Sequence, residues 1–377
     1  MNRSEFLSSL FTGADQRSHF QAIRSMFDTA GMAAATQPRP FAKGTPMTLP
    51  DDYAHAGATR GVEHFLDETD TMALLVLKDG QIRFERYADW GGADRQWISM
   101  SVAKSVISIG IGIAVEEGLI GSLEEPVDSY CPTLSGSAYD RVRIKDVLQM
   151  SSGAGWDEDY SNPQSDVRRL GAILASGAAF NAFPPTLKRA REPGTFNLYN
   201  SADTQVLGML LRAATGRTIA DYLQEKLWHP LGMEDEGFWI VDSTGMEMAY
   251  GGLNATARDY AKIGELFRLG GMWDGKRIVS EDWVKASVTP DAPHLMPGQF
   301  GLSDGNMGYG YQWWIPEGDQ GDFSAVGVYN QFVHVSPRDG TTIVKLSANR
   351  TYGLTNDQSS FRSEETVEVL RAIARVA

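Results

Sequence analysis

The clearest alternation of apolar and polar positions lies between residues 71 and 87. Apolar side chains fill positions 72–77, and they alternate with polar ones from residue 82 onward. The two runs are separated by Asp79 and Gly80, a pair that favours the left-handed backbone of a two-residue turn. The pattern therefore predicts two antiparallel strands joined as a hairpin.

A longer apolar run follows the hairpin and has the length of a helix rather than a strand. It starts near residue 98 and reaches Gly118, which is a plausible glycine just after the last helical turn. Its most apolar part, residues 106–120, is too short to cross a bilayer and is interrupted by Glu116 and Glu117. The run predicts a buried helix.

The rest of the chain separates into a helical middle and a mixed C-terminal part. Helical patterns cover 143–150, 202–215, 219–228, 257–269, 281–287 (with Ser280 as its cap) and 362–377. Strand-like runs cover 309–315, 327–335 and 341–346, the last two flanking a turn at 336–340. Residues 1–60 are weakly patterned apart from a short helical stretch at 20–27, and we assign them no chemistry.

These elements predict an α/β fold of the α+β kind, in which an antiparallel sheet is flanked by helices. Residues 61–118 and 246–377 would form one α/β subdomain, and residues 119–245 a mainly helical subdomain inserted between them. Residues 1–60 would be an N-terminal extension. The active site is expected in the cleft between the two subdomains.

Charge and cysteine content narrow the choice of partners and compartment. The chain of 377 residues carries a net charge of −14, which argues against nucleic acid or an anionic membrane as a partner. Its single cysteine, Cys131, excludes an intramolecular disulfide, and the N-terminus lacks the apolar core of a signal peptide. We therefore expect a cytoplasmic protein, and the sequence leaves open whether it forms a homodimer.

No cofactor is indicated. The six histidines show no paired metal-ligand spacing, and no glycine-rich phosphate-binding motif opens a helix after a strand. The sequence therefore predicts chemistry carried by side chains alone.

A serine and a lysine stand together at the start of the long apolar run. Ser101 and Lys104 are three residues apart, so on a helix they share one face. Apolar surroundings lower the pKa of a lysine, and a neutral lysine can accept the proton of a serine nucleophile. The helix start adds free backbone N–H groups for a developing oxyanion. The alternative is an ordinary lysine beside a capping serine.

A tyrosine is the candidate for the second proton carrier that such a pair needs. Tyr199 lies in a loop directly before the helical pattern at 202–215, and Ser201 follows two residues later. Tyr199 would carry a proton to the leaving group. The alternative is that its ring only packs at the start of that helix.

The chain resembles the serine hydrolases related to class C β-lactamases, penicillin-binding proteins and family VIII carboxylesterases. The matching stretches are 101–104 (SVAK), 144–153 (IKDVLQMSSG), 192–196 (EPGTF) leading to 199–201 (YNS), 229–233 (HPLGM) and 251–259 (GGLNATARD). They occur in the order found in that family. The resemblance extends over about residues 65–375 and implies the β-lactamase-like fold.

The resemblance also implies roles for individual residues. Ser101 would be the nucleophile, Lys104 its base and Tyr199 the proton relay. The backbone N–H groups of Ser101 and Val328 would form the oxyanion hole. Tyr160 would contact the substrate.

Two positions depart from the β-lactamase pattern. Ser201 stands where β-lactamases carry an asparagine, and the late strand reads Ala325-Val326-Gly327 where they carry Lys-Thr-Gly or His-Thr-Gly. Gly327 would still let the substrate approach the strand, but the cation that binds the substrate carboxylate is missing. These two departures from the β-lactamase pattern therefore predict weak or absent β-lactamase activity.

The sequence predicts a serine hydrolase that cleaves small esters or linear amides, such as 6-aminohexanoate oligomers, through an acyl-enzyme on Ser101. The first alternative is a β-lactamase or D,D-peptidase. The second is a non-catalytic binding protein on the same fold.

Overall fold

The predicted hairpin forms part of an eight-stranded sheet in the computed structural model, which describes residues 2–299 and 301–377. The helices are α1 (Arg3–Ser9), α2 (Arg17–Gln21), α3 (Ile23–Met26), α4 (Val62–Glu68), α5 (Val102–Glu116), α6 (Ile144–Leu148), α7 (Asp166–Ser176), α8 (Ser201–Thr215), α9 (Ile219–Leu223), α10 (Ala257–Arg268), α11 (Glu281–Val288), α12 (Gln358–Phe361) and α13 (Ser363–Val376). The strands are β1 (Thr29–Met32), β2 (Ala42–Lys43), β3 (Asp52–His55), β4 (Ala58–Gly61), β5 (Thr71–Lys78), β6 (Gln81–Tyr87), β7 (Trp97–Ile98), β8 (Gly237–Ile240), β9 (Leu253–Ala255), β10 (Met272–Trp273), β11 (Lys276–Arg277), β12 (Gly308–Tyr309), β13 (Trp314–Ile315), β14 (Phe323–Gly327), β15 (Gln331–Ser336) and β16 (Thr341–Ser347).

The large sheet joins strands from both ends of the chain in the order β12-β13-β14-β15-β16-β5-β6-β2. All neighbouring pairs are antiparallel except β2 with β6. The turn between β5 and β6 has Asp79 and Gly80 at φ +49° and +76°, as the sequence predicts for an Asp-Gly hairpin. The α/β fold with an antiparallel sheet flanked by helices is confirmed. The division into subdomains stays a prediction.

Both faces of the sheet are buried. Side chains of successive strand residues point to opposite faces, so Leu75 and Leu77 join the larger apolar cluster that includes α5 and α10. Leu74 and Val76 face the other way and pack with α4 and α13. The continuous apolar run at 72–77 reflects this double burial.

Helix α5 lies at the centre of the molecule. Every residue from Val102 to Ala114 is buried, which explains an apolar sequence that has no polar face. The N-terminal end of α5 meets the end of β14, and this junction forms the centre of the candidate site. Among the helices in the described part of the chain, none combines the length and the apolar character that a membrane span needs.

Two strand predictions were wrong in the same way. The run at 309–315 is broken into β12 and β13 around Gln312 at φ +65°. The run at 327–335 is a hairpin: β14 ends at Gly327, and β15 begins at Gln331. Tyr329 and Asn330, at φ +65° and +62°, reverse the chain between the two strands. Left-handed backbone is incompatible with a continuing strand.

Residues 2–27 are more ordered than their sequence pattern suggested. Helices α1, α2 and α3 bury Phe6, Phe20 and Ile23 against the main apolar cluster. We call residues 2–27 the N-terminal arm.

Candidate active site

Ser101 occupies the N-cap position of α5 but does not cap the helix with its side chain. Elsewhere, the caps Ser165, Thr256 and Ser280 accept a hydrogen bond from a first-turn amide, which is the usual use of such a residue. The Ser101 hydroxyl is therefore free for another role. Met100 precedes it at φ +45°, a strained conformation of the kind that clusters at functional sites.

Lys104 lies one helical turn further along and is 1% exposed. Its ammonium donates hydrogen bonds to the Ser201 hydroxyl at 3.0 Å and to the Tyr250 carbonyl at 3.1 Å. Burial lowers the pKa of Lys104 to about 8, against the opposing effect of two carboxylates, Glu158 and Asp203. A substantial fraction of Lys104 is consequently neutral near physiological pH.

Tyr199 is brought to the same place by the loop that precedes α8. The side chain of Asn200 caps α8, and the Tyr199 amide donates to the Asp304 carboxylate at 3.2 Å. The Lys104 nitrogen lies 5.2 Å from the centre of the Tyr199 ring. Burial raises the pKa of Tyr199 well above its usual value, although the Ser101 side chain acts in the opposite direction. Tyr199 is thus a neutral phenol that can donate a proton.

Glu158 is the main residue of the site that the sequence did not single out. Its carboxylate accepts hydrogen bonds from the Ser201 hydroxyl at 2.7 Å, the Tyr160 hydroxyl at 2.6 Å and the Trp156 indole N–H. It also accepts one from the Ser201 amide at 3.2 Å. The Ser201 hydroxyl therefore accepts a hydrogen bond from Lys104 and donates one to the Glu158 carboxylate, so it connects the two charged groups.

Asp203 supplies a second carboxylate on the buried face of α8. One of its oxygens accepts hydrogen bonds from Tyr139, Ser152 and Asn200. Burial raises the pKa of Asp203 to about 7 in spite of these donors. Both Asp203 and Glu158 favour the protonated form of Lys104, and burial opposes them.

Gly327 and Val328 close the site from the sheet side. A Cβ on Gly327 would lie 2.5 Å from the Ser99 carbonyl oxygen and 3.0 Å from the Ser101 nitrogen, so only glycine fits this junction. Val328 begins the turn after β14. Neither the Ser101 amide nor the Val328 amide donates a hydrogen bond to a group in the described part of the chain. Ser101 and Val328 line the same cavity, so two backbone amides without a partner in the described part of the chain border it. Such an arrangement suits an oxyanion.

The predicted site residues surround one cavity of about 400 Å³. Ser101, Tyr160, Tyr199, Gly327 and Val328 line it directly, while Lys104 and Ser201 lie behind the lining. The lining includes the carboxylates of Asp157, Glu158, Asp159, Asp304 and Glu364. No Lys or Arg occurs among the described residues that line the cavity. The lining of the cavity as a whole is therefore acidic.

A second cavity of about 340 Å³ lies next to the first and shares Asn306, Met307 and Glu364 with it.

Comparison with known proteins identifies the family of the chain. The Beta-lactamase family matches residues 59–364 of the chain. The 6-aminohexanoate-dimer hydrolase of Paenarthrobacter ureafaciens is 32% identical over 326 residues, which cover 84% of this chain and 82% of that protein.

Solved structures show the same fold. The “putative 6-aminohexanoate-dimer hydrolase” from Bacillus anthracis has a TM-score of 0.82 at 24% identity, covering 97% of this chain and 98% of its own. A family VIII carboxylesterase has a TM-score of 0.62 at 16% identity, covering 84% and 95% respectively. Together, the matched region and the related sequence show that this chain is a serine hydrolase of the β-lactamase family.

Proposed function

We propose that the chain hydrolyses small esters or linear amides through an acyl-enzyme on Ser101. The observation that supports this most directly is the Ser101 hydroxyl at the start of α5, which caps no helix amide and lies one helical turn before a buried Lys104 of lowered pKa. The Ser101 oxygen attacks the substrate carbonyl carbon, and its proton passes to neutral Lys104. Tyr199 then donates a proton to the leaving oxygen or nitrogen as the bond to the carbonyl carbon breaks.

The second half of the reaction uses the same groups in reverse. Protonated Lys104 first returns a proton to the Tyr199 oxygen, which restores both groups. Water then attacks the acyl carbon and gives a proton to the Lys104–Tyr199 pair, the bond between that carbon and the Ser101 oxygen breaks, and the pair returns the proton to the Ser101 oxygen as the acid leaves. In both halves the negative oxygen of the tetrahedral intermediate accepts hydrogen bonds from the Ser101 and Val328 amides. The helix dipole of α5 adds to this stabilisation.

The charges of the cavity favour neutral or amine-bearing substrates over carboxylates. Five acidic side chains line the cavity, and no cation is found among its described lining residues. A β-lactam or D-Ala-D-Ala carboxylate would lose its charge-assisted partner and meet like charge. The charge of the lining therefore supports esters or linear amides over β-lactams.

The related hydrolase suggests a specific amide to test. Its name states that it acts on the 6-aminohexanoate dimer. The amino end of such a dimer would be attracted by the acidic lining, and its carboxylate end would lie away from these acidic side chains. We therefore propose short linear amides of this type, beside small esters, as the substrate class.

A panel of three substrates tests the proposed class. We expect turnover of a short-chain p-nitrophenyl ester, measurable cleavage of the 6-aminohexanoate dimer, and nitrocefin turnover at least about 100-fold below that of the ester. A fluorophosphonate probe should label Ser101 in the folded protein. A nitrocefin rate close to the ester rate would favour a β-lactamase instead. Folded protein without labelling would indicate a non-catalytic binding protein.

A methyl group on Gly327 is expected to damage the oxyanion site. Gly327→Ala forces β14 away from the start of α5, because the new Cβ would lie 2.5 Å from the Ser99 carbonyl oxygen. Loss of one oxyanion donor lowers kcat by about 10²-fold or more. The measurement is kcat for a p-nitrophenyl ester, with thermal unfolding to check the fold.

Gly305 offers a matched control in the same cavity. Its backbone has no positive φ, and a Cβ there meets nothing within 4 Å, so Gly305→Ala should retain the wild-type rate. Equal rates for Gly327→Ala and the wild-type protein would contradict the assignment of the Val328 amide.

A further inference from the structure

The N-terminal arm reaches the active site, although it lies outside the matched family region, which begins at residue 59. The contact is made by Phe11, which follows α1. Its ring centre lies 4.6 Å from that of Tyr160 and 5.4 Å from that of Tyr329. Tyr160 lines the cavity, and Tyr329 directly follows Val328. Phe11 therefore contacts one residue that lines the cavity, Tyr160, and the direct neighbour of another, Tyr329.

The turn that carries the Val328 amide needs external support. Tyr329 and Asn330 are consecutive non-glycine residues at positive φ. Left-handed backbone is disfavoured for a tyrosine and better tolerated by an asparagine, so surrounding contacts must hold the turn, above all at Tyr329. For Asn330, these contacts come from the Phe361 carbonyl at 2.8 Å and from Asn349 at 2.7 Å.

For Tyr329, much of the support comes from the N-terminal arm. The Tyr329 ring stacks on Phe11 with an angle of 22° between the planes, and it meets Phe20 edge-on at 5.0 Å. The Phe11 amide donates a hydrogen bond to the Tyr329 hydroxyl at 3.0 Å. Tyr352, which lies outside the arm, is a further aromatic neighbour of Tyr329.

Phe11 is itself fixed in place. Its backbone is left-handed at φ +59°, and the Arg168 guanidinium lies 5.5 Å above its ring. Arg168 also donates to the Leu10 carbonyl at 3.5 Å, which ties α7 to the arm. Because these contacts fix the position of Phe11, its ring can in turn hold the Tyr329 ring that stacks on it.

We propose that Phe11 is a positioning residue that aligns the Val328 amide with the Ser101 site by holding the Tyr329 ring. The proposal rests on the role of Val328 in the proposed function. The arm thus completes the oxyanion site without contacting the reacting atoms. Its second contact is with Tyr160, which lines the same cavity.

Removal of the Phe11 ring tests this role. Phe11→Ala is expected to lower kcat for a p-nitrophenyl ester about tenfold, a part of what loss of a whole oxyanion donor costs, with KM changed much less. Labelling of Ser101 by a fluorophosphonate should slow in parallel. Phe11→Tyr keeps the stacked ring and should restore the wild-type kcat.

Phe27→Ala is the matched control. Phe27 belongs to the same arm and is buried, but its aromatic contact is with Phe6, away from Tyr160 and Tyr329. It should lower the thermal unfolding temperature while kcat stays at the wild-type value. If Phe11→Ala proves unfolded, Phe11→Leu keeps most of the apolar bulk and should lower kcat about threefold, the size of an aromatic-pair preference.

The outcomes separate this proposal from the proposed function. A wild-type protein without Ser101-dependent ester turnover would overturn the proposed function and this inference with it. Normal wild-type turnover, together with a folded Phe11→Ala or Phe11→Leu variant of unchanged kcat, would overturn the role of Phe11 alone. A loss of kcat as large in Phe27→Ala as in Phe11→Ala would also overturn it, since the effect would then be one of general stability.

Discussion

Ser101→Ala is expected to reduce ester hydrolysis by about 10⁴-fold or more, the loss that follows removal of a catalytic serine nucleophile. Without the Ser101 oxygen there is no acyl-enzyme, and the remaining groups can only assist direct attack by water. The measurement is kcat with a short-chain p-nitrophenyl ester, together with mass spectrometry of the protein after brief exposure to substrate. The wild-type protein should gain the mass of the acyl group, and the variant should not.

Ser108→Ala provides a matched control on the same helix. Ser108 is buried in α5, and its hydroxyl has no hydrogen-bond partner among the described residues, so its loss removes no interaction. We expect this variant to keep the wild-type rate and to unfold at or above the wild-type temperature, since an unsatisfied polar group is removed. Retention of activity by Ser101→Ala would show that the central assignment is wrong.

Most of the candidate site could be predicted from the sequence because its key residues lie at the starts of helices that the local pattern indicates. Ser101 and Lys104 share one turn of an apolar helix, so their proximity follows from helical spacing alone. Tyr199 stands directly before a second helix, and its approach to Lys104 required the ordered family motifs as well as the local pattern. The structure places all three around one cavity.

Glu158 could not be predicted in the same way. Its contacts with Ser201 cross 43 residues of sequence, and they depend on the course of an irregular loop rather than on a helical or strand period. The acidic and aromatic composition of this loop is shared by ordinary surface loops, and the resemblance assigned a role there to Tyr160 and none to Glu158. The detectable signal was indirect: a buried Lys104 requires nearby negative charge.

The turn after β14 illustrates a different limit. Residues 327–335 read as one strand because most of their side chains favour a strand, and Tyr329 is a poor residue for positive φ. Asn330 tolerates positive φ, but it does not by itself predict a turn. The Tyr329 ring contacts Phe11 and Phe20 from the far end of the chain, and these contacts offset the local preference. Such tertiary packing cannot be predicted from the residues of the turn itself.

Lys104→Met is expected to lower kcat/KM for the same ester by about 10³-fold, within the range that a positioned general base contributes. Methionine keeps the apolar bulk of the side chain and cannot accept a proton. Lys104→Arg keeps the positive charge, but a guanidinium is not deprotonated in proteins, so this variant should be similarly inactive. An active Lys104→Arg variant would show that the charge of residue 104, and not its basicity, supports the reaction.

The pH dependence assigns the base more directly. The pKa of Lys104 is lowered to about 8 by burial, and its reactive form is the neutral one. The value of kcat/KM should therefore rise with pH and level off above an inflection near pH 8. Below the inflection it should fall by about tenfold per pH unit. Lys104→Met should lack this inflection in its residual activity.

Glu158→Gln should move the same inflection to lower pH. The Glu158 carboxylate raises the pKa of Lys104, so its neutralisation leaves burial less opposed and shifts the inflection down by about one unit. Asp159→Asn is the control: it lies in the same loop and has no such effect on Lys104, so its profile should match that of the wild-type protein. An unchanged inflection in Glu158→Gln, or one that moves equally in Asp159→Asn, would assign the titration to a group other than Lys104.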